Sequence, residues 1–175
     1  MADVIADHRN ACDGFTAAVR SAAGRWDAPS PCPEWDARGV LEHVIGFHDV
    51  LVLRPLDAKP QRPNDDPAAR WAVTVDAMFG AMSHPGALDS QRESLLAVLT
   101  TDVVVHTWDL CRAVGVDVAL DARLCEIGLA RALSNPTMFE ESDMFGPALA
   151  VPEDASVQDR LLGAFGRDPA WSPNR

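Results

Sequence analysis

No segment of the chain reaches the run of about eighteen uninterrupted apolar residues that a membrane-spanning helix needs. The first ten residues, MADVIADHRN, carry charge throughout and have neither the basic-then-apolar order nor the cleavage site of a secretory signal. A cytoplasmic protein without a membrane partner is therefore expected. Lysine is nearly missing, since Lys59 is the only one among 15 basic residues. Positive charge is scarce altogether: the net charge of -11 and pI near 4.7 argue against a nucleic-acid or anionic membrane surface. The four cysteines, Cys12, Cys32, Cys111 and Cys125, show neither CxxC spacing nor a disulfide framework, so they are expected to be reduced and mostly buried. Also missing are a Ser/His/Asp order, a Gly-rich phosphate loop and a dedicated general base. No alternating Val/Ile/Thr run suggests a strand, apart from Val103 to Val105, which sit inside a helical pattern.

What is present is a series of amphipathic helices with recognisable ends. A chain of 175 residues is long enough for one well-packed domain, expected over 1–175, and too short for two of ordinary size. Val4, Ile5, His8, Ala11, Cys12, Phe15, Ala18, Val19 and Ala22 recur at helical spacing between a capping Asp3 and Gly24. His8 lies in this stripe with no ionisable residue recognised on the following turn, and reads as a satisfied core or edge histidine. After a proline-rich connection, Asp36 caps a second helix that runs to about Leu53, with an Arg38/Glu42 pair expected outside. The segment 57–66 is a polar loop able to border a pocket. Asp66-Pro67 starts a third helix whose inward stripe is Trp71, Val75, Met78 and Met82, while His84 reads as an exposed turn residue. Ser90 and Glu93 form a capping box for a fourth helix ended by Gly115. Asp121 caps a fifth, stopped by Asn135-Pro136, and Ser156 and Asp159 cap a short sixth closed by Gly166. The expected architecture is all-α, a four-helix bundle with short additional C-terminal helices.

The fourth helix places ionisable residues where a helix should be oily. Leu95, Leu99, Val103, Leu110 and Ala113 share a side with Asp102, His106 and Asp109. Asp102 and His106 are one turn apart, so their side chains can converge on one point. Such a pair is as well suited to a buried hydrogen-bonded contact as to a metal ion, and a third ligand must decide. The second helix offers His43 and His48, roughly 140° apart around its axis, so the two cannot reach one ion together. Spacing does not choose between them. Asp109 is placed either to orient the His106 ring or to pair with Arg112 or Arg131, and Trp108 reads as packing between helices.

Two segments, CPEWDARGVLEHVIGFH and DVVVHTWDLCRAVG, together with the C-terminal LLGAFGRDPAW, resemble the DinB/YfiT-like metal-binding helical bundles. The resemblance is to the branch of the mycothiol-dependent maleylpyruvate isomerase metal-binding domain, in its short stand-alone members. It implies a metal site made of His43, Asp102 and His106, with Asp102 standing where the isomerase has a Glu one methylene longer. It implies a divalent metal, Zn2+ first, with Ni2+ or Fe2+ as alternatives, and a mycothiol-like thiol as cosubstrate. The activity so implied is a metal-dependent thiol S-transferase or isomerase, acting on an electrophilic small molecule, as a monomer or homodimer. A metal-dependent hydrolase using bound water and a non-catalytic metal-containing binding protein are the alternatives.

Overall fold

The computed structural model describes residues 3–134 and 146–173, and the elements it describes are helices. Each starts where a side chain can take up backbone N–H groups that the first turn leaves without carbonyl partners. Helix α1, Val4–Ser21, is capped by Asp3, which accepts from the Ile5 and Ala6 amides at 3.1 and 3.2 Å. Helix α2, Ala37–His48, is capped by Asp36 and continues through a π-helical turn, Asp49–Leu53. Asp66 caps α3, Pro67–Met82, with Pro67 in the first turn, where a missing N–H costs nothing. The long α4 is Ser90–Ala113; α5, Ala122–Ser134, is capped by Asp121, and α6, Val157–Ala164, by Ser156. Gly24 and Gly115 take left-handed φ values of 78° and 68° just beyond α1 and α4. The expected stop at Asn135-Pro136 lies outside the described residues.

Two local expectations are corrected. The cap of α4 is Asp89, whose Oδ1 accepts the Arg92 amide at 2.8 Å, so Ser90 is the first helical residue rather than the cap. A charged carboxylate at a helix N-terminus gains from the helix dipole as well as from the hydrogen bond. Glu42 does not pair with Arg38; it receives two hydrogen bonds of 2.8 Å from Arg70 of α3. A bidentate guanidinium from a neighbouring helix displaces a single-turn pairing worth only a few tenths of a kcal/mol, or ~0.2–0.5.

Helix α4 occupies the middle, with α1 and α2 packed on it, α3 against both of those, and α5 and α6 covering a further side. The core is continuous through Phe15, Val44, Trp71, Leu99, Val103 and Leu161. The stripe expected on one side of α4 is, in the structure, a helix buried all round: every residue from Thr100 to Cys111 is buried, while Leu95 near its start is 37% exposed. Among the described helices α4 is long and apolar enough to cross a membrane, but 78% of its apolar window is buried inside the protein, as a bundle's central helix requires. All four cysteines are free and buried, as expected.

After α6 the chain reverses at Gly166, which has φ 72°, and a Cβ added there would stand 2.7 Å from the Gly146 carbonyl oxygen. Only glycine fits both the left-handed backbone and the close approach. The turn aims Arg167 back into the core, where it is 7% exposed. Gly166→Ala should destabilise the fold by about 2–5 kcal/mol, the sum of left-handed strain and overpacking. A urea midpoint equal to that of the wild type would show that the turn is dispensable.

Candidate metal centre

Three side chains from two helices meet beside the middle of α4. His43 Nε2 lies 3.5 Å and His106 Nε2 3.4 Å from the same oxygen, Asp102 Oδ1. The His43 and His106 rings are 4.7 Å apart between centroids, at 66°. The other carboxylate oxygen, Asp102 Oδ2, is buried with no hydrogen-bond partner among the described residues. These separations are long for hydrogen bonds. They match neighbouring ligand atoms around a tetrahedral ion with metal–N and metal–O bonds of about 2.0–2.2 Å.

The orientation of His106 sharpens this. Its Nδ1 lies 2.9 Å from Asp109 Oδ2, and an ionised carboxylate only accepts, so Nδ1 carries the proton. A neutral ring so held turns its Nε2 lone pair toward Asp102, and either a second ring proton or a cation must stand between them. Burial disfavours charge on His106, yet the Asp102 carboxylate outweighs it and raises the pKa well above the ordinary value. Burial likewise opposes the Asp102 charge, yet His106 and then His43 hold its carboxyl far below the usual carboxylate range. The pocket thus keeps a carboxylate ionised against its burial, which is what a divalent cation needs from its ligand.

Behind His106, Asp109 is gripped by Arg167, with Nε 3.1 and 3.2 Å from its two oxygens and Nη2 2.9 Å from Oδ2. Cys32 donates to Asp109 Oδ2 at 3.2 Å and accepts from Arg167 Nη2 at 3.1 Å. A guanidinium already supplies the positive charge there, so Cys32, His106 and Asp109 are a supporting network rather than a second place for an ion. Of the two roles expected for Asp109, orienting His106 is the one seen. Arg112 instead pairs with Asp117, and Arg131 bonds the Ala97 carbonyl and Thr101. Trp108 is buried, as expected.

Spacing missed Arg167 and Cys32, although both lie in segments whose resemblance was noted. It also missed the place of Trp35, whose ring stacks on His43 at 4.4 Å and 30°, with Phe47 on His43 at 4.4 Å. Trp35 and Phe47 are half-buried, and the His43 side chain is 15% exposed against 4% for Asp102 and 1% for His106. The cluster is therefore sealed on the α4 side and open past His43, under an aromatic rim.

His48 faces elsewhere. Its Nε2 meets His8 Nε2 at 3.1 Å and its Nδ1 donates to the Val44 carbonyl at 2.6 Å, away from Asp102 Oδ1.

The family model for the mycothiol maleylpyruvate isomerase N-terminal domain matches residues 6–111, a stretch that contains His43, Asp102 and His106. The chain belongs to that family. The mycothiol maleylpyruvate isomerase N-terminal domain is a DinB-like helical, metal-binding domain, in agreement with the all-helical bundle described above. Two uncharacterized proteins of Mycobacterium tuberculosis, from the CDC 1551 / Oshkosh and H37Rv strains, are similar to it. Each is 29% identical over 182 residues, covering 94% of this chain and 98% of the relative. No solved structure matches.

The two histidines His8 and His48 give the metal-free protein a defined acid sensitivity. Burial, then repulsion from His48, holds His8 well below its ordinary value, and burial brings His48 down to about 4. In the unfolded chain both titrate near ~6.5. Between those values the unfolded state binds protons that the folded state refuses, so stability falls as pH drops through the window. His106, with its raised pKa, contributes stability that is complete below about 6.5 and is lost as pH rises through its folded value. The stability of chelator-treated protein against urea should therefore be greatest near neutrality. It should lose on the order of 3 kcal/mol from His48 alone as pH falls to about 4. A flat profile over the acid limb would mean that these rings are not held neutral.

Proposed function

We propose that the chain is a single metal-binding bundle domain in which His43, Asp102 and His106 hold one divalent cation, Zn2+ foremost, for chemistry on a low-molecular-weight thiol. The observation that carries this reading is the convergence of both Nε2 atoms on Asp102 Oδ1 while Oδ2 is buried without a partner among the described residues. Such an ion, held by His43, Asp102 and His106, would lower the pKa of a thiol brought to it and so supply a thiolate nucleophile.

The residues around it divide the remaining work. Asp109, anchored by Arg167, keeps the His106 Nδ1 proton in place and the ring in one orientation. Trp35 and Phe47, both stacked on His43, offer an apolar rim for the carbon skeleton of a substrate. The thiol would give up its proton to solvent on binding, as a thiolate ligand must. In an addition to an activated double bond, the sulfur–carbon bond would form as the π bond breaks, and one solvent proton would add to the adjacent carbon in place of the one the thiol lost. Reversal after rotation about the new single bond isomerises the substrate; retention of the sulfur makes a transferase.

The test compares wild type with His43→Ala, which alters the partly exposed edge of the site. The variant should hold about one divalent ion per chain fewer, and its zinc affinity at the site should fall by more than about 100-fold, beyond what loss of a supporting residue costs. Thiol-dependent consumption of an activated enoate should disappear with the ion. Equal zinc affinity in His43→Ala and wild type would overturn the ligand assignment. Metal binding without any thiol-dependent turnover would favour the non-catalytic reading.

A further inference from the structure

We propose that His8 and Cys12 of α1 and His48 of α2 form a second metal site, for a zinc-type divalent cation, independent of the His43, Asp102 and His106 cluster. All three are fully buried, at 0% exposure. His8 Nε2 lies 3.1 Å from His48 Nε2 and 3.5 Å from Cys12 Sγ. A tetrahedral zinc ion, with Zn–N of about 2.0–2.1 Å and Zn–S of about 2.3 Å, sets two ligand nitrogens about 3.3 Å apart and nitrogen and sulfur about 3.5 Å apart. The two separations from His8 stand close to that spacing, and all three atoms lie within 4.8 Å of one another, brought together as α1 and α2 both pack on α4.

Proton counting shows why the arrangement calls for a cation. His48 Nδ1 donates to the Val44 carbonyl at 2.6 Å, which leaves a lone pair on its Nε2. His8 Nδ1 lies 3.0 Å from Thr100 Oγ1, and that hydroxyl gives its single proton to the Leu96 carbonyl at 2.8 Å. Thr100 therefore accepts from His8 Nδ1–H, and the His8 Nε2 atom also presents a lone pair. Two lone pairs then face each other across 3.1 Å. The Cys12 S–H can turn to one of them and not to both.

A proton shared between the rings would leave an imidazolium in the core, which burial opposes at both. A cation held by the Cys12 thiolate and the two Nε2 atoms satisfies all three donors at once. It also leaves each ring donating its other N–H to a fixed oxygen, as ligating histidines do. The Asp102 carboxylate supplies negative potential to both rings. Burial raises the Cys12 pKa in the metal-free protein, so loading must release that proton and tighten as pH rises. The arrangement without a metal is available only if Thr100 gives up the Leu96 carbonyl and donates to His8, letting His8 Nε2–H donate to His48.

Cobalt(II) separates the two. The His43, Asp102 and His106 set contains no sulfur, so a thiolate-to-cobalt charge-transfer band in the near ultraviolet reports Cys12. Because the cluster is sealed, Co2+ is added both to folded protein and during refolding from urea. The His43→Ala protein should still take up about one Co2+ per chain with this band, and Cys12→Ser should lose the band. If Cys12→Ser does not fold, retention of the band in each of Cys32→Ser, Cys111→Ser and Cys125→Ser assigns it to Cys12. Absence of the band from wild type and His43→Ala under both loading conditions, or its survival in Cys12→Ser, overturns the proposal.

Discussion

A carboxylate in the centre of a helix bundle costs several kcal/mol in lost hydration unless opposite charge and hydrogen bonds meet it there, on the order of that for each buried ion. Asp102 is 3% exposed at the midpoint of α4, and much of the surrounding structure answers that demand. His106 one turn on and His43 from α2 both direct Nε2 at the same oxygen. The stretch of α4 around Asp102, Thr100 to Cys111, is buried on every side, so little solvent stands in for these partners. Replacing the trio with apolar residues would relieve that demand and remove the cluster proposed to hold an ion.

The demand propagates outward. His106 keeps its orientation because Asp109 accepts its Nδ1 proton, and Asp109 is itself a buried charge that needs Arg167 and Cys32. Arg167 reaches the core because the chain turns at Gly166, in a conformation and at a closeness to Gly146 that exclude a side chain. The segment after α6 is thus joined to the Asp102 cluster through Arg167, Asp109 and His106 in turn. On the other flank, α2 divides its two histidines between different partners: His43 meets Asp102, and His48 meets His8. One helix consequently borders two polar clusters inside an otherwise apolar bundle.

The sequence by itself determined the helices, most of their ends and the Asp102/His106 pair, because caps, 3.6-residue periodicity and four-residue spacing are properties of neighbouring residues. Where two capping residues adjoin, as at Asp89 and Ser90, or where Arg70 from another helix outbids Arg38 for Glu42, local rules chose the wrong member. Resemblance, rather than spacing, selected His43 over His48. Tertiary structure alone decided the rest. Arg167 lies 58 residues from Asp109, Cys32 lies 77 from it, and His48 lies 40 from His8. Cys12 was overlooked because a thiol four residues from a histidine looks like core packing until a second imidazole arrives. Nothing local encodes such meetings: they follow from which faces of α1, α2 and α4 the packing of the whole bundle turns toward one another, and from the low-dielectric interior that makes each buried polar atom there require a partner.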